Sequence, residues 1–554
     1  NVSIGYASLT DNSTGADNTA VGRLALHRNT TASNNTGIGN NALFANTTGT
    51  QNVAVGSNAL DANTTASNNT SIGYATLGTN TTGANNTAVG NEALILNTTG
   101  AFNVAVGSNA LDANTTGNYN SAVGHASLSA NTTGSTNTAL GLTSLENNTT
   151  ASNNTGIGYA ALNANTTGHS NVAVGSIALD ANTTGERNTA LGYATLTDNS
   201  TGVKNTAVGM SALENNTTAD NNTAVGNNCM VSNTTGTENV AVGAEALDSN
   251  TTANYNTAIG YAAGKNNTSG GPWTFVGYQA GYNKGNGGSG EGTAVGYQAL
   301  YASGGPLRNT AVGYQALYST TNYGDNNTGV GYKALYANTS GAQNIAIGTY
   351  TLDSNTTGDG NVGMGYAALT ACTTGDNNTC IGTNAGDGIT TGSDNVFIGS
   401  GVADGGSFST GNNNIIIGVD QNPSLGDQSN ELKLGNGSTS VFRCNVQTIS
   451  SLSDVRDKTD IVDIPDGLDF INSVRPVKYK WDRRRPDDTC GLVRAGFIAQ
   501  ELQKAQKGSE YLDLVYDVDP EFLEAKQGNL LPVMVKAIQE LSAEVEQLKS
   551  QLNN

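Results

Sequence analysis

The chain has 554 residues, 71 of them glycine and only 12% charged, with a formal net charge of −20. Nine of its 24 lysines and arginines precede residue 440, so the chain up to that point lacks the clustered cations that a nucleic-acid partner requires. No run approaches the ~20 apolar residues of a membrane-spanning helix, and membrane insertion is not expected.

A short cassette organises most of the chain, seen clearly as Asn18-Thr-Ala-Val-Gly-Arg-Leu-Ala-Leu-His-Arg-Asn-Thr-Thr-Ala-Ser-Asn34. Copies start at Asn1, Asn35, Asn52, Asn69, Asn86 and Asn103, and the step holds to Asn256. Looser copies start near Trp273, Gly292, Asn309, Asn327, Asn344, Asn361, Asn378, Asn395 and Asn414. A repeat of this kind is one coil of a solenoid, and the fold predicted for residues 1–418 is an all-β repeat solenoid, a parallel β-roll.

Each cassette opens on an extended segment such as Asn52-Val-Ala-Val-Gly56. Strand side chains alternate between faces, which places Val53 and Val55 on one face and Ala54 and Gly56 on the other. The valine face is expected to line a dry interior. The small face is expected where another backbone comes close, and we assign that backbone to a neighbouring chain, the alternative being a glycine needed only for a bend within the coil. A second apolar pair follows, as in Ala59-Leu60, then Asn-Thr-Thr-Gly, a turn-forming stretch. That stretch is formally an N-glycosylation acceptor, but stacked Asn and Thr ladders are the expected use. One coil buries about two aliphatic side chains at ~1.5–3 kcal/mol each, too little to offset ordering at ~1–2 kcal/mol per residue. Stability must come from stacking, and about 25 coils at ~4.8 Å span roughly 120 Å.

The cassette resembles the head repeats of trimeric autotransporter adhesins, in which an Asn-x-Ala-Ile-Gly-like core recurs. The resemblance implies a left-handed β-roll and three chains around one axis.

His27, His125 and His169 stand isolated and are expected in exposed loops, with no metal constellation and no repeated calcium-binding nonapeptide. The five cysteines, Cys229, Cys372, Cys380, Cys444 and Cys490, show no zinc-like spacing. No cofactor is expected. Between about Lys265 and Asp325 the rhythm loosens, with inserted stretches at Gly270-Gly-Pro-Trp273, Lys284–Glu291 and Ser303-Gly-Gly-Pro306. Here Tyr278, Tyr297, Tyr314, Tyr332 and Tyr366 follow the cassette glycine, and Tyr301, Tyr318 and Tyr336 form a second column. With Trp273 these aromatics are either a recognition surface for a host receptor or glycan or a packing ladder between coils.

Residues 419–452 read as a neck in which the copies fade. The composition then changes to ordinary globular patterning, expected as a small α/β domain over 453–529 and a coiled coil over 530–554. Leu531, Met534, Ile538, Leu541, Val545, Leu548 and Leu552 alternate by three and four, as a coiled-coil seam does. Ser453-Asp-Val-Arg-Asp-Lys458, Pro476-Val-Lys-Tyr-Lys-Trp481 and Gly496-Phe-Ile-Ala-Gln-Glu501 precede it.

These motifs resemble the self-cleaving intramolecular chaperone of bacteriophage tail spikes and fibres, also found in myelin regulatory factor. The resemblance covers about residues 450–554 and implies a homotrimer and a cut between Leu452 and Ser453, with Ser453 as nucleophile and Lys458 as general base. Ser-Lys pairs are a known variant of hydroxyl activation, provided burial or nearby positive charge lowers the lysine pKa. Arg456 is one source of that charge, or else a structural partner of Asp454. The His that often precedes Gly-Phe-Ile is absent, with Arg494 nearby. The alternative is a Ser453-Asp454 helix cap without proteolysis.

The function expected is therefore a structural fibre or adhesin of a virion tail or cell surface, registered by a chaperone that cleaves itself off, with no activity in trans. The alternatives are an ice-binding solenoid, which needs a flat Thr-x-Thr face, and a glycan-degrading spike, which needs paired carboxylates in a cleft.

Overall fold

The computed structural model describes residues 1–284, 290–304, 308–321, 323–405, 408–423, 427–436, 438–439, 453–482, 491, 493–517, 520 and 523–553. The described residues between 1 and 434 build a parallel β-solenoid, and among them 26 strands run from β1 (Val2–Ile4) to β26 (Leu432–Leu434). Every strand pairs in parallel with the next, usually 17 residues on, as in β4 (Val53–Val55) with β5 (Thr70–Ile72), where Val53 faces Thr70. The step lengthens where residues are inserted, for example from Thr274 to Thr293 and from Val396 to Ile415.

The strand faces are the reverse of the expected ones. Ala54 is fully buried, whereas Val53 and Val55 are partly exposed and point outward. The coil turns back beneath its own strand and brings Ala59 and Leu60, both fully buried, into the interior. So narrow a coil leaves room for little more than a methyl group from the strand. Where the strand supplies Phe275, the leucine position shrinks to glycine on both sides. A Cβ on Gly264 or Gly281 would lie 2.6 or 2.2 Å from the Phe275 ring.

The glycine column does not face a neighbouring chain either. Gly56 has φ +140°, and a Cβ there would lie 2.0 Å from the carbonyl oxygen of Gly73 in the next coil. Successive coils of one chain make this close approach.

Two buried asparagine ladders run along the rod. In one, Asn46 Nδ2 donates to Asn29 Oδ1 and to the Gly49 carbonyl, each at 2.9 Å, and the pattern repeats at Asn63 and Asn80. In the other, the Asn52 amide N–H donates to Asn35 Oδ1 at 2.9 Å. Beside them Thr47 Oγ1 donates to the Thr64 carbonyl at 3.0 Å. The Asn-Thr-Thr stretches are thus ladder residues, and Asn29, Asn46 and Asn63 are all fully buried.

The C-terminal region is a small α/β module. Helix α1 (Leu468–Ser473) and the hairpin β27 (Val477–Lys480) and β28 (Val493–Gly496) precede α2 (Ala499–Ala505). Strands β29 (Val515–Tyr516) and β30 (Glu524–Ala525) pair before α3 (Leu531–Leu552). Phe470, Leu502, Leu512, Leu514, Val515, Leu530 and Val533 form its core. Glu540 of α3 reaches back to the start of α1, its Oε2 accepting from the Leu468 N–H at 2.7 Å.

Candidate functional site

The first described residues of the module build a compact turn. Asp454 caps a single 3-10 turn, Val455–Asp457, its Oδ1 accepting from the Arg456 N–H at 2.9 Å. The chain then extends at Lys458, whose N–H donates to the Val455 carbonyl. One turn is enough to fold the lysine back, and Lys458 Nζ donates to Ser453 Oγ at 2.6 Å. The expected nucleophile and base are therefore in direct contact, and the capping role of Asp454 is realised beside them. The expected cut, Leu452–Ser453, has Leu452 outside the described residues.

Arg456 is engaged elsewhere. Its Nε donates to both Asp454 carboxylate oxygens at 3.0 and 3.1 Å. Those side-chain bonds, with the capped Arg456 N–H, hold the Asp454 carboxyl below the usual carboxylate range. Its charge is neutralised by the carboxylate rather than directed at Lys458. Both Ser453 and Lys458 are exposed in the single chain.

The Gly496-Phe-Ile-Ala-Gln-Glu501 stretch carries the end of β28 into α2. Phe497 packs against the module core, and Glu501 pairs with Arg475, which holds the Glu501 carboxyl below its ordinary range. Arg494 stands opposite Tyr479 in the hairpin. Among the described residues, no hydrogen bond joins Ser453 or Lys458 to Arg475, Glu501 or Arg494.

On the rod, the tyrosines form two stacked ladders. Tyr261, Tyr278, Tyr297, Tyr314 and Tyr332 follow one another at centroid distances of 5.0 to 5.3 Å. Tyr282, Tyr301, Tyr318 and Tyr336 make the second, at 5.0 to 5.2 Å. Tyr332, Tyr350 and Tyr366 then meet edge to face. The first ladder is exposed and the second half-buried. Tyr261 and Tyr282 were legible and missed, since they stand at the same cassette positions as the tyrosines singled out.

Trp273 does not belong to this surface. It is 1% exposed, stacked on Phe275 at 5.6 Å and covered by the Lys284 ammonium at 5.1 Å. Its register partner is Gly292, where a Cβ would lie 2.2 Å from the indole. A missing side chain in the next coil makes room for the ring inside, and a receptor cannot reach it. Of the inserted stretches, residues 285–289 and 305–307 lie outside the described residues.

His27 is half-buried and stacks on Phe44, and His169 pairs with Glu186 at 3.0 Å. Cys229, Cys372 and Cys380 are buried free thiols, and burial pushes Cys229 up to about 12 and Cys372 up to about 11. Cys444 and Cys490 lie outside the described residues. Among the described residues, no group of three His, Cys, Asp or Glu side chains is placed to hold a metal ion.

Residues 453–511 match the family model described as chaperone of endosialidase. The match begins at Ser453, the residue expected to follow the cut. No curated protein and no solved structure matches the chain. The chain thus joins a parallel β-solenoid to a C-terminal segment similar to this chaperone family.

Proposed function

We propose that this chain is the subunit of a homotrimeric fibre of a virion tail or cell surface, which its C-terminal chaperone assembles and then leaves by self-cleavage. The contact between Lys458 Nζ and Ser453 Oγ, at the first residue of the matched segment, is the observation that carries this reading.

In the proposed reaction, Lys458 in its neutral form takes the Ser453 Oγ proton as the oxygen attacks the Leu452 carbonyl carbon. The Leu452–Ser453 C–N bond breaks, the proton passes to the departing Ser453 amine, and an ester joins Leu452 to Ser453 Oγ. Water then hydrolyses the ester, releasing the Leu452 carboxylate and restoring the serine hydroxyl. A lysine is neutral near physiological pH only when desolvated or crowded by cations. Ser453 and Lys458 are exposed in the single chain, and Arg456 is paired with Asp454. We therefore assign the desolvating surface to neighbouring subunits, so that cleavage follows assembly.

Two surfaces support the trimer. The α3 seam is open, with Leu531, Ile538 and Leu548 exposed by 63, 65 and 57%. Along the rod, the two outward strand columns hold no charged residue from β1 to β26, and the second is always Val, Ile, Leu or Met. That apolar column also departs from the Thr-x-Thr face of an ice binder. The exposed tyrosine ladder is the proposed place for a host receptor or glycan.

The test is intact mass and a denaturing gel on freshly expressed wild type, Ser453→Ala and Lys458→Ala. Wild type is expected to split at Leu452–Ser453 while both variants stay whole. A folded, trimeric wild type that stays uncut would leave the module as a permanent trimerisation cap and sink the maturation step.

A further inference from the structure

Four successive coils carry one motif: Gly277-Tyr-Gln-Ala-Gly-Tyr282, Gly296-Tyr-Gln-Ala-Leu-Tyr301, Gly313-Tyr-Gln-Ala-Leu-Tyr318 and Gly331-Tyr-Lys-Ala-Leu-Tyr336. Stacking aligns them into three parallel columns. The outer two are tyrosine ladders. The middle one is an amide ladder, with Gln298 Nε2 donating to Gln279 Oε1 and Gln315 Nε2 to Gln298 Oε1, each at 3.0 Å. It ends at Lys333, whose ammonium lies 5.7 Å from the Tyr332 ring and 5.0 Å from the Tyr336 ring.

What this surface can bind follows from what it hides. Rings stacked at about one coil spacing, with planes within 10° from Tyr278 to Tyr332, cover one another's faces. Apart from the Tyr332 and Tyr336 rings that Lys333 overlies, the negative faces that attract cations are thus covered, and the rims remain. Ring edges are electropositive, and with phenol hydroxyls and glutamine amides they suit a partner rich in neutral oxygen. Tyr278, Tyr297 and Tyr314 are each 42 to 43% exposed, so the rims are accessible.

The repeat distance discriminates between long partners. An extended peptide along the rod advances about 3.3 Å per residue, which falls out of step with rings 5.0 to 5.2 Å apart. Nucleic acid needs a row of cations, and the middle column has one, Lys333. One sugar of an extended, equatorially linked glycan advances about as far as one coil. We infer that the Tyr-Gln-Tyr platform binds an extended, uncharged linear glycan lying along the rod axis, one sugar per coil. The inference rests on reading the chain as a surface fibre and gives its receptor a chemistry, a direction and a length.

The experiment is calorimetric titration of the full-length protein with length series of cello- and chito-oligosaccharides. Affinity is expected to climb with each added sugar until the four coils are covered and then to level off. Tyr297→Phe with Tyr314→Phe keeps the stacked rings and removes two hydroxyls. This variant is expected to bind roughly tenfold more weakly with an unchanged melting temperature. Binding independent of length, or equal in the Phe variant, overturns the inference. So do covalent subunit dimers through Tyr297 under tyrosine-oxidising conditions, which would place the platform inside the assembly. Self-cleavage and trimer mass are measured on the same samples. A processed trimer that binds neither series overturns the platform alone, and an unprocessed monomer overturns the fibre reading beneath it.

Discussion

Gly175 shows what a single residue does in a stack of near-identical coils. Its φ is +140°, and a Cβ would lie 2.1 Å from the Gly192 carbonyl oxygen, on backbone that cannot swing away. Gly175→Ala is expected to cost about 3 kcal/mol or more. In a chain whose coils touch only their neighbours, the loss should stay local. Amide exchange should accelerate around residues 175 and 192 and stay unchanged many coils away; uniform acceleration would contradict local coupling.

Asp387 is a second informative residue. Burial, then like charge from Asp404 in the next coil, pushes its carboxyl up to about 6. Asp61, Asp112, Asp180, Asp248 and Asp353 are shifted in the same direction, with burial first among the causes. A folded value above the ordinary ~3.9 means that the folded state binds the proton more tightly. The associated stability is complete below about pH 4 and is lost as the pH rises through about 6. Asp387→Asn removes that loss, so its melting temperature should exceed the wild type's near pH ~7 and match it near pH ~4. A variant less stable than wild type at neutral pH would show that the carboxylate has a partner worth keeping.

Among the elements, α3 carries the clearest division of labour. Val533 and Ala537 face its own module, while Ile538, Leu541 and Val545 are exposed by 65, 49 and 41%. Ile538→Asp spares the module core and charges the seam. It should yield folded monomers by sedimentation, and it should also block cleavage if the Ser453–Lys458 pair is completed by other subunits. A trimeric Ile538→Asp protein would remove α3 from the interface.

The strands show how far sequence reading reaches. Alternation divides Val53 and Val55 from Ala54 without saying which side is inside. That is decided by Leu60, whose bulk leaves the strand only a methyl's width. The turn bearing Leu60 was not legible at all. Asn58 and Leu60 both take positive φ, 58° and 52°, at a cost of roughly 1–2 kcal/mol each. In return the Asn58 N–H bonds back to the Asn40 carbonyl and the Leu60 N–H forward to that of Thr76, at 2.9 and 3.0 Å. Leucine is not a residue that announces a left-handed backbone, and only neighbouring coils make the conformation favourable. The pairing of Ser453 with Lys458, by contrast, is implied by the resemblance of the motif to a known family, and the contact itself is local, closed by one turn between residues five apart.

For the whole molecule, repetition is both the strength and the hazard. Equal coils stack without frustration along one chain, yet between chains a slip by one coil changes little energetically, so the landscape lacks a sharp minimum. On the proposed reading, a C-terminal module that trimerises first would fix the register. Its removal would then leave a rod protected by the height of its unfolding barrier.

The asparagine ladder bears on where such a chain can be made. Asn29, Asn46, Asn63 and Asn80 head Asn-Thr-Thr triplets, yet their amides are fully buried and bonded to the adjoining coil. An oligosaccharyltransferase meets the nascent polypeptide before any coil has stacked, and each sugar it attached would occupy the seat of the next rung. Biosynthesis and folding would then compete at coil after coil. The same ladder is therefore expected to form only where these triplets go unread.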